Sequence, residues 1–356
     1  MNILSLFDGI SCARVACDRA GIQVENYYAS EIDKYAISIS QKNYPDIKQV
    51  GSVVDIKSED YKDIDLLIGG SPCQDLSIAK KGREGLRGSR SGLFYEYLRI
   101  LKEVKPKYFI LENVNSMPKE AKETITKELF GIEPIMINAA LVSAQNRKRL
   151  FWVGKLVGDT YKQVKIELPE DRGILLRDIL ESKVDEKYLV KDKSNTIRTS
   201  GRGSGIDDKH NWDSIRIGQF NNGGQGDRIY SQEGKSDALS ANGGGRGAKT
   251  GLYEVNGAAS RTYPRYKVEG EERSKRIEVR DDGKSNSMTL VQGDSMVQEQ
   301  SVIRKLTPIE CERLQSLPDN YTEGVSNTQR YKACGNAFNV EVVAHILKQI
   351  IKLLVN

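Results

Sequence analysis

The stretch Leu4-Ser5-Leu6-Phe7-Asp8-Gly9-Ile10-Ser11-Cys12 decides the fold. An apolar run of strand length stops at an acid and a glycine and then passes into a helical pattern, as a strand does when it feeds a crossover helix in an α/β sheet. Glu31 closes the next candidate strand, 22 residues after Gly9. That spacing sets an acid at the carboxyl edge of the sheet, where nucleotide-binding folds hold ribose hydroxyls. A dehydrogenase does not fit, because one glycine stands where G-x-G-x-x-G needs three and a pyrophosphate has no close backbone approach. A cofactor with ribose and adenine but no phosphate fits better, and S-adenosylmethionine is the common one. Asp55, after Val53-Val54, is placed to accept from an adenine amino group.

Outward from this stretch, short apolar runs alternate with helical patterns up to about residue 155. Strands are expected at Ile3 to Phe7, Asn26 to Ser30, Asp65 to Gly69, Tyr108 to Glu112, Pro134 to Asn138 and Phe151 to Gly154. Helices are expected over Lys34 to Lys42 and Ser91 to Glu103, the latter with Leu93, Phe94, Tyr97, Leu98 and Leu101 on one face. The pattern predicts a parallel, Rossmann-like sheet with crossover helices. After about 175 the character changes, since residues 177–303 hold 17 of the 32 glycines and lose helical periodicity. Trp212, Ile215, Ile217, Phe220, Ile229 and Tyr230 interleave with those glycines, which favours loop-rich β structure over a disordered linker. Order returns with helices over Thr307 to Leu317 and Asn339 to Val355, the second amphipathic and suited to packing back on the first half. Three domains follow: 1–175, 176–303 and a return segment, 304–356.

The glycine-rich part repeats the form K-S-[ND]-x-aliphatic at Lys193 to Ile197, Lys235 to Leu239 and Lys284 to Met288. Each copy is expected to be a turn-and-strand unit of one β scaffold.

Composition removes several classes of function. The chain has 356 residues, 38% of them hydrophobic, enough for a sizeable core. A net charge of +5 does not by itself mark a nucleic-acid binder. Two histidines and five scattered cysteines without a C-x-x-C speak against a zinc site, a disulfide framework and Ser-His catalysis. No apolar run approaches the roughly 20 residues of a membrane span, and the first residues have no signal-peptide pattern. A reducing compartment is expected.

The motifs that carry chemistry lie at the ends of the predicted strands. Gly69-Gly70-Ser71-Pro72-Cys73-Gln74 sets a cysteine after a backbone-fixing proline at the mouth of the sheet, as an exposed nucleophile would be. Leu111-Glu112-Asn113-Val114 puts a carboxylate at the end of an apolar strand. Gln145-Asn146-Arg147-Lys148-Arg149 sets two arginines at i and i+2, one face of an extended segment. Residues 75 to 90 carry Lys80, Lys81, Arg83, Arg87 and Arg90 against Asp75 and Glu84, with Gly82, Gly85 and Gly88 between them, a phosphate-gripping lid in pattern.

Pro72-Cys73-Gln74, Glu112-Asn113-Val114, Gln145-x-Arg147-x-Arg149 and Gly335-Asn336-Ala337, in this order, resemble the DNA cytosine-5 methyltransferase family of bacterial or phage type. Arg304-Lys305-Leu306-Thr307-Pro308-x-Glu310-x-x-Arg313-Leu314-Gln315 and Pro318-Asp319 extend the likeness, which spans residues 3 to 340 around a variable target-recognition region. The resemblance implies sequence-specific methylation of cytosine in double-stranded DNA, with S-adenosylmethionine as donor and S-adenosylhomocysteine as product. Cytosine C5 is a poor nucleophile until a thiolate adds at C6, and nearby cations raise the thiolate fraction of a cysteine whose ordinary pKa is about 8.5. By resemblance Cys73 attacks C6 and Arg147 and Arg149 are the cations, with Arg149 also on the cytosine O2. Glu112 holds and protonates N3, a role that calls for a raised pKa in a dry pocket. Methyl transfer and loss of the C5 proton then release Cys73 by elimination.

The resemblance assigns cofactor contacts to Phe7, Asp8, Gly9, Ile10, Glu31, Ile32 on the adenine face, Asp55, Pro72, Leu93 and Asn336. It assigns DNA contacts to Gln74, Ser77, Lys80, Lys81, Arg83 and Arg87, on a base flipped from the duplex. In the first loop Ser11 and Cys12 replace two glycines usual in the family. No metal or membrane is implied; a monomer is expected, in the cytoplasm of a bacterial or phage-infected cell, with a cognate restriction endonuclease as possible companion. An RNA cytosine methyltransferase and a catalytically inactive DNA-binding relative are the competing readings. The length of 177–303 favours DNA, and the intact Cys73, Glu112, Arg147 and Arg149 favour activity.

Overall fold

The computed structural model describes residues 1–71, 93–182, 184–185, 216–219, 228–239, 252–263, 274–279 and 300–355. Pro72, Cys73, Gln74, Ser77 and the basic loop with Lys80, Lys81, Arg83 and Arg87 lie outside the described residues, as do the repeats at 193–197 and 284–288.

The strands of the first half are β1 (Asn2–Leu6), β2 (Asn26–Ser30), β3 (Lys48–Gln49), β4 (Leu66–Gly70), β5 (Tyr108–Val114), β6 (Ile135–Asn138), β7 (Lys148–Val157) and β8 (Thr160–Gln163). They form one sheet in the order β3-β2-β1-β4-β5-β7-β6, with β8 on β7. Strands β1 to β5 pair in parallel. β7 runs antiparallel to β5 and β6, so the sheet is mixed and the all-parallel expectation is corrected. The physical reason lies in residues 139–147. They hold only a single 3-10 turn, Ala139–Leu141, and a parallel return needs a crossover of about a dozen residues or more.

Side chains alternate across the sheet. Ile3, Ala29, Ile68, Ile110 and Val153 face a core shared with α1 (Cys12–Ala20) and α7 (Val340–Val355). Leu4, Leu6, Leu67, Phe109 and Trp152 face the other core, against α3 (Leu93–Val104) and α4 (Lys119–Glu128). Both faces are covered, as the continuous apolar runs require. α7 closes the first core with Val340, Val343, Ile346, Leu347 and Ile350 fully buried, and Glu341 on it pairs with Arg19 of α1 at 2.7 Å.

Beyond residue 175 a second, five-stranded sheet is built from β9 (Arg216–Gln219), β10 (Arg228–Ser231), β11 (Leu252–Tyr263), β12 (Ser274–Val279) and β13 (Gln300–Arg304). A third apolar cluster, with Ala144, Leu176, Tyr230, Leu239, Leu306, Cys311, Leu314 and Cys334, joins this sheet to the first half and to the returning helices. Those helices are α5 (Pro308–Leu314) and α6 (Asn327–Asn336). α5 starts on a capping box, Thr307 with Glu310, with Pro308 in its first turn. Among the described residues no helix is long and apolar enough to cross a membrane, and no group of three or more His, Cys, Asp or Glu could hold a metal ion.

Candidate active site

Two clefts of chemistry meet at the carboxyl edge of the parallel strands. The first is the turn after β1. Phe7, Gly9 and Ser11 all take left-handed backbone, at φ of 56°, 62° and 58°, which is strained for the two that are not glycine. Asp8 holds the turn from beneath. Its N–H donates to the Ser30 carbonyl at 3.1 Å, and its carboxylate accepts from the Tyr27 hydroxyl at 2.6 Å and from Ser11 Oγ. Burial raises the Asp8 pKa, while the hydrogen bonds from Ser11 and Tyr27 pull the other way. Ile10 is also buried, and its carbonyl accepts from the Tyr321 hydroxyl at 2.8 Å. The side chains of Asp8 and Ile10 therefore face the core, and what these two can offer a cofactor is main chain.

Glu31 ends β2. One carboxylate oxygen accepts from the Gly9 N–H at 2.8 Å, the other from the N–H groups of Ile32 and Asp33 at 2.7 and 2.8 Å. The acid fixes both turns, and a carboxylate with about four acceptor sites still has room for a ligand hydroxyl. Beside it Ile32 is 78% exposed and Val54 54% exposed, Asp55 is exposed, and the space above Gly9 is open. A bare apolar face, an acid with spare lone pairs and an open glycine suit an adenosine. α6 borders this edge through Lys332, which pairs at 2.6 Å with Asp33, the N-cap of α2 (Lys34–Asn43). Asn336, at the end of α6, is exposed, and Leu93, at the start of α3, is half-buried.

The second cleft lies where β4 and β5 end and β7 begins. Glu112 stands opposite Gly70 on one side and Phe151 on the other. Arg149, two residues before Phe151 on β7, reaches back with Nε 2.8 Å from Glu112 Oε1, the side chains 18% and 14% exposed. Gly70 leaves room for this pair, because a Cβ there would lie 2.9 Å from Glu112 Oε2 and 3.0 Å from the Phe338 ring. Asn113 Nδ2 donates to Ser71 Oγ at 3.2 Å, which anchors the chain just before Pro72-Cys73-Gln74. Glu112 is ion-paired with Arg149 and lines a recess with it.

Arg147 lines the same recess, but its guanidinium is buried. It donates to the carbonyls of Leu239, Gly335 and Ala337 at 3.2, 3.1 and 3.0 Å. Arg149 thus faces Glu112, and Arg147 ties the segment at Leu239 and the α6 terminus to the entry of β7. Sequence reasoning missed Phe338 and Asn339, which also line the recess; their place directly after Gly335-Asn336-Ala337 was the available signal. The four described cysteines, Cys12, Cys17, Cys311 and Cys334, are free and buried. Burial pushes each thiol up, that of Cys17 to about 12, so none supplies a thiolate near neutral pH.

A sequence model of the C-5 cytosine-specific DNA methylase family matches residues 1–352. The chain belongs to this family. The methylase is 28% identical over 355 residues to type II methyltransferase M.HhaI of Haemophilus parahaemolyticus, covering 97% of this chain and 93% of that one. It is 28% identical to orphan methyltransferase M.SPRI of Bacillus phage SPR, over 100% and 98% of the two chains. Among solved structures, the methyltransferase EhMeth of Entamoeba histolytica aligns at TM-score 0.65 and 16% identity, over 99% of this chain and 98% of that one. S. pombe Dnmt2 aligns at TM-score 0.62 and 17% identity, over 99% of each. The methylase is a DNA (cytosine-5-)-methyltransferase, and use of S-adenosylmethionine follows from the family.

Proposed function

We propose that Cys73, Glu112 and Arg149 are the cytosine-handling centre of the methylase and act on a base flipped out of double-stranded DNA. The observation that carries this reading is the Arg149 to Glu112 pair beside Gly70, since three residues of chain keep Cys73 within about 11 Å of Gly70. In the reaction the Cys73 thiolate adds to C6 of the ring while Glu112 protonates N3, leaving an enamine with electron density on C5. Arg149 holds the O2 edge. S-adenosylmethionine, when bound, supplies a methyl group on a sulfonium and leaves as S-adenosylhomocysteine. C5 takes that methyl group, the C5 proton then leaves to solvent, the C6–S bond breaks to return the thiolate, and N3 gives its proton back to Glu112. Phe7, Gly9, Glu31, Ile32 and Asp55, the backbone of Asp8 and Ile10, and the flanking Pro72, Leu93 and Asn336 are the residues we assign to the cofactor.

Flipping costs a few kcal/mol of unstacking. The loop from 75 to 90 is assigned to closing over the base, with Gln74, Ser77, Lys80, Lys81, Arg83 and Arg87 on DNA. Residues 176–303 are assigned to reading the target, between a catalytic part at 1–175 and the return segment at 304–356. The chain is proposed to act as a monomer in the cytoplasm of a bacterial or phage-infected cell. A cognate restriction endonuclease is its proposed companion, because relatives carry the name type II methyltransferase.

Covalent trapping on duplex DNA containing 5-fluorocytosine tests the centre. The wild type should form a stable adduct and Cys73→Ser none; adduct formation by the serine variant would remove Cys73 from its role. Bisulfite sequencing of plasmid DNA from expressing cells should show one protected sequence context. Replacing Gly82, Gly85 and Gly88 with alanine should slow turnover more than it weakens cofactor binding, and equal loss of both would end the lid assignment.

A further inference from the structure

Lys235 is a fully buried lysine in the segment that follows β10. Its ammonium donates to the carbonyls of Ala140 at 2.9 Å, Ser143 at 3.3 Å and Ile174. Two of those carbonyls belong to the stretch between β6 and β7 that delivers Arg147 and Arg149, and the third to the chain leaving the catalytic half. The flanking backbone makes the same connection. Ser236 N–H donates to the Ala144 carbonyl and Asn146 N–H to the Ser236 carbonyl, both at 2.8 Å. Leu239 O takes the Arg147 guanidinium. On the other side, the N–H groups of Leu176 and Arg177 donate to the carbonyls of Gly234 and Gln232.

We infer that Lys235 is a positioning residue that registers the target-reading sheet against the arginine-bearing entry to β7, so that DNA held by the one presents its base to the other. A buried ammonium is costly unless every proton finds an acceptor, and here three carbonyls from two separate chain segments supply them. Moving either segment by an ångström strands the charge, so the ion enforces one register. Burial also lowers the Lys235 pKa, with Asp171 and Asp178 opposing. The assignment rests on the reading of 176–303 as the DNA-reading part.

The test compares full-length wild type with Lys235→Met, which keeps chain length and removes the donors, and Lys235→Gln, which keeps an N–H₂ group. For Lys235→Met we expect KM for duplex DNA and the DNA dissociation constant to rise by about tenfold. Methylation at near-cognate sites should rise relative to the preferred one, and the S-adenosylmethionine dissociation constant should stay within about twofold. Lys235→Gln should recover part of the DNA affinity and, if the methionine variant does not fold, is judged by the same split. Unchanged DNA constants, or equal weakening of DNA and cofactor, overturns the inference. Photo-crosslinking of wild type to DNA separates the two readings. Crosslinks confined to residues outside 176–303 would remove the DNA-reading assignment, whereas crosslinks within it, with DNA constants indifferent to Lys235, would remove only the role of the lysine.

Discussion

Two arginine to glutamate pairs in the methylase use the same chemistry in opposite ways. Arg304 and Glu310 are 4% and 0% exposed and doubly bonded, at 2.8 and 2.6 Å. The remaining capacity of Glu310 goes to the N–H groups of Thr307 and Glu181, each at 2.8 Å. Arg149 and Glu112 share one short contact beside a recess, and among the described residues no partner is recorded for the second Glu112 oxygen, which lies toward Gly70 and Phe338. A saturated pair fixes a joint. The other has valences left for a ligand, and that difference separates scaffold from the proposed reaction centre better than residue type does.

The largest expected effect tests the unsaturated pair. Glu112→Gln keeps shape and removes the proposed proton donor, so kcat should fall by about 10²–10⁴-fold while the urea midpoint stays within experimental error. A loss of stability in step with activity would erase the distinction. Arg304→Met should do the reverse, leaving Glu310 buried without its cation and lowering unfolding free energy by about 3–5 kcal/mol, read by urea titration. Folded protein from that variant should still form the 5-fluorocytosine adduct. Gly70→Ala sharpens the comparison, since its methyl would press on both Glu112 and Phe338. Turnover should drop on the order of tenfold to a hundredfold, and the cofactor dissociation constant should be nearly unchanged.

The smallest effect concerns an acid with no arginine beside it. Asp8 has a folded-state pKa raised chiefly by burial, so the stability it contributes is full below the unfolded carboxyl range, about 3.9, and is lost as pH rises through the higher folded value. Asp8→Asn copies the neutral form. Its unfolding free energy should gain on the wild type as pH rises from about 4 upward, and parallel profiles would show that Asp8 is not held neutral.

The strands were legible because apolar runs of strand length are what a sheet covered on both faces demands, as at Leu66 to Gly69 and Tyr108 to Leu111. Their direction was not, since periodicity is the same for a parallel and an antiparallel strand; the short link at 139–147 settles β7. α6 escaped notice because Asn-Thr-Gln-Arg-Tyr-Lys-Ala-Cys-Gly-Asn has no apolar stripe and is held by its neighbours. α4, with Ala121 and Ile125 as its inward apolar residues, was missed for the same reason. In the candidate site, motif order singled out Glu112 and Arg149, which the structure brings into contact. It could not tell Arg149 from Arg147, because a guanidinium written in a sequence does not show whether carbonyls or a carboxylate await it. Lys235 was visible only as the first letter of a repeat, since lysine is ordinarily read as a solvated residue.

The contact between Arg19 and Glu341 joins residues 322 positions apart. At about 5–20 residues per second of synthesis, roughly 16–64 s pass between the emergence of α1 and that of the helix that covers it. Throughout that interval Cys12, Cys17, Val15 and Ala16 have no lid, and the first core exists as half of an interface. The first core of the methylase therefore stays half an interface until translation reaches α7.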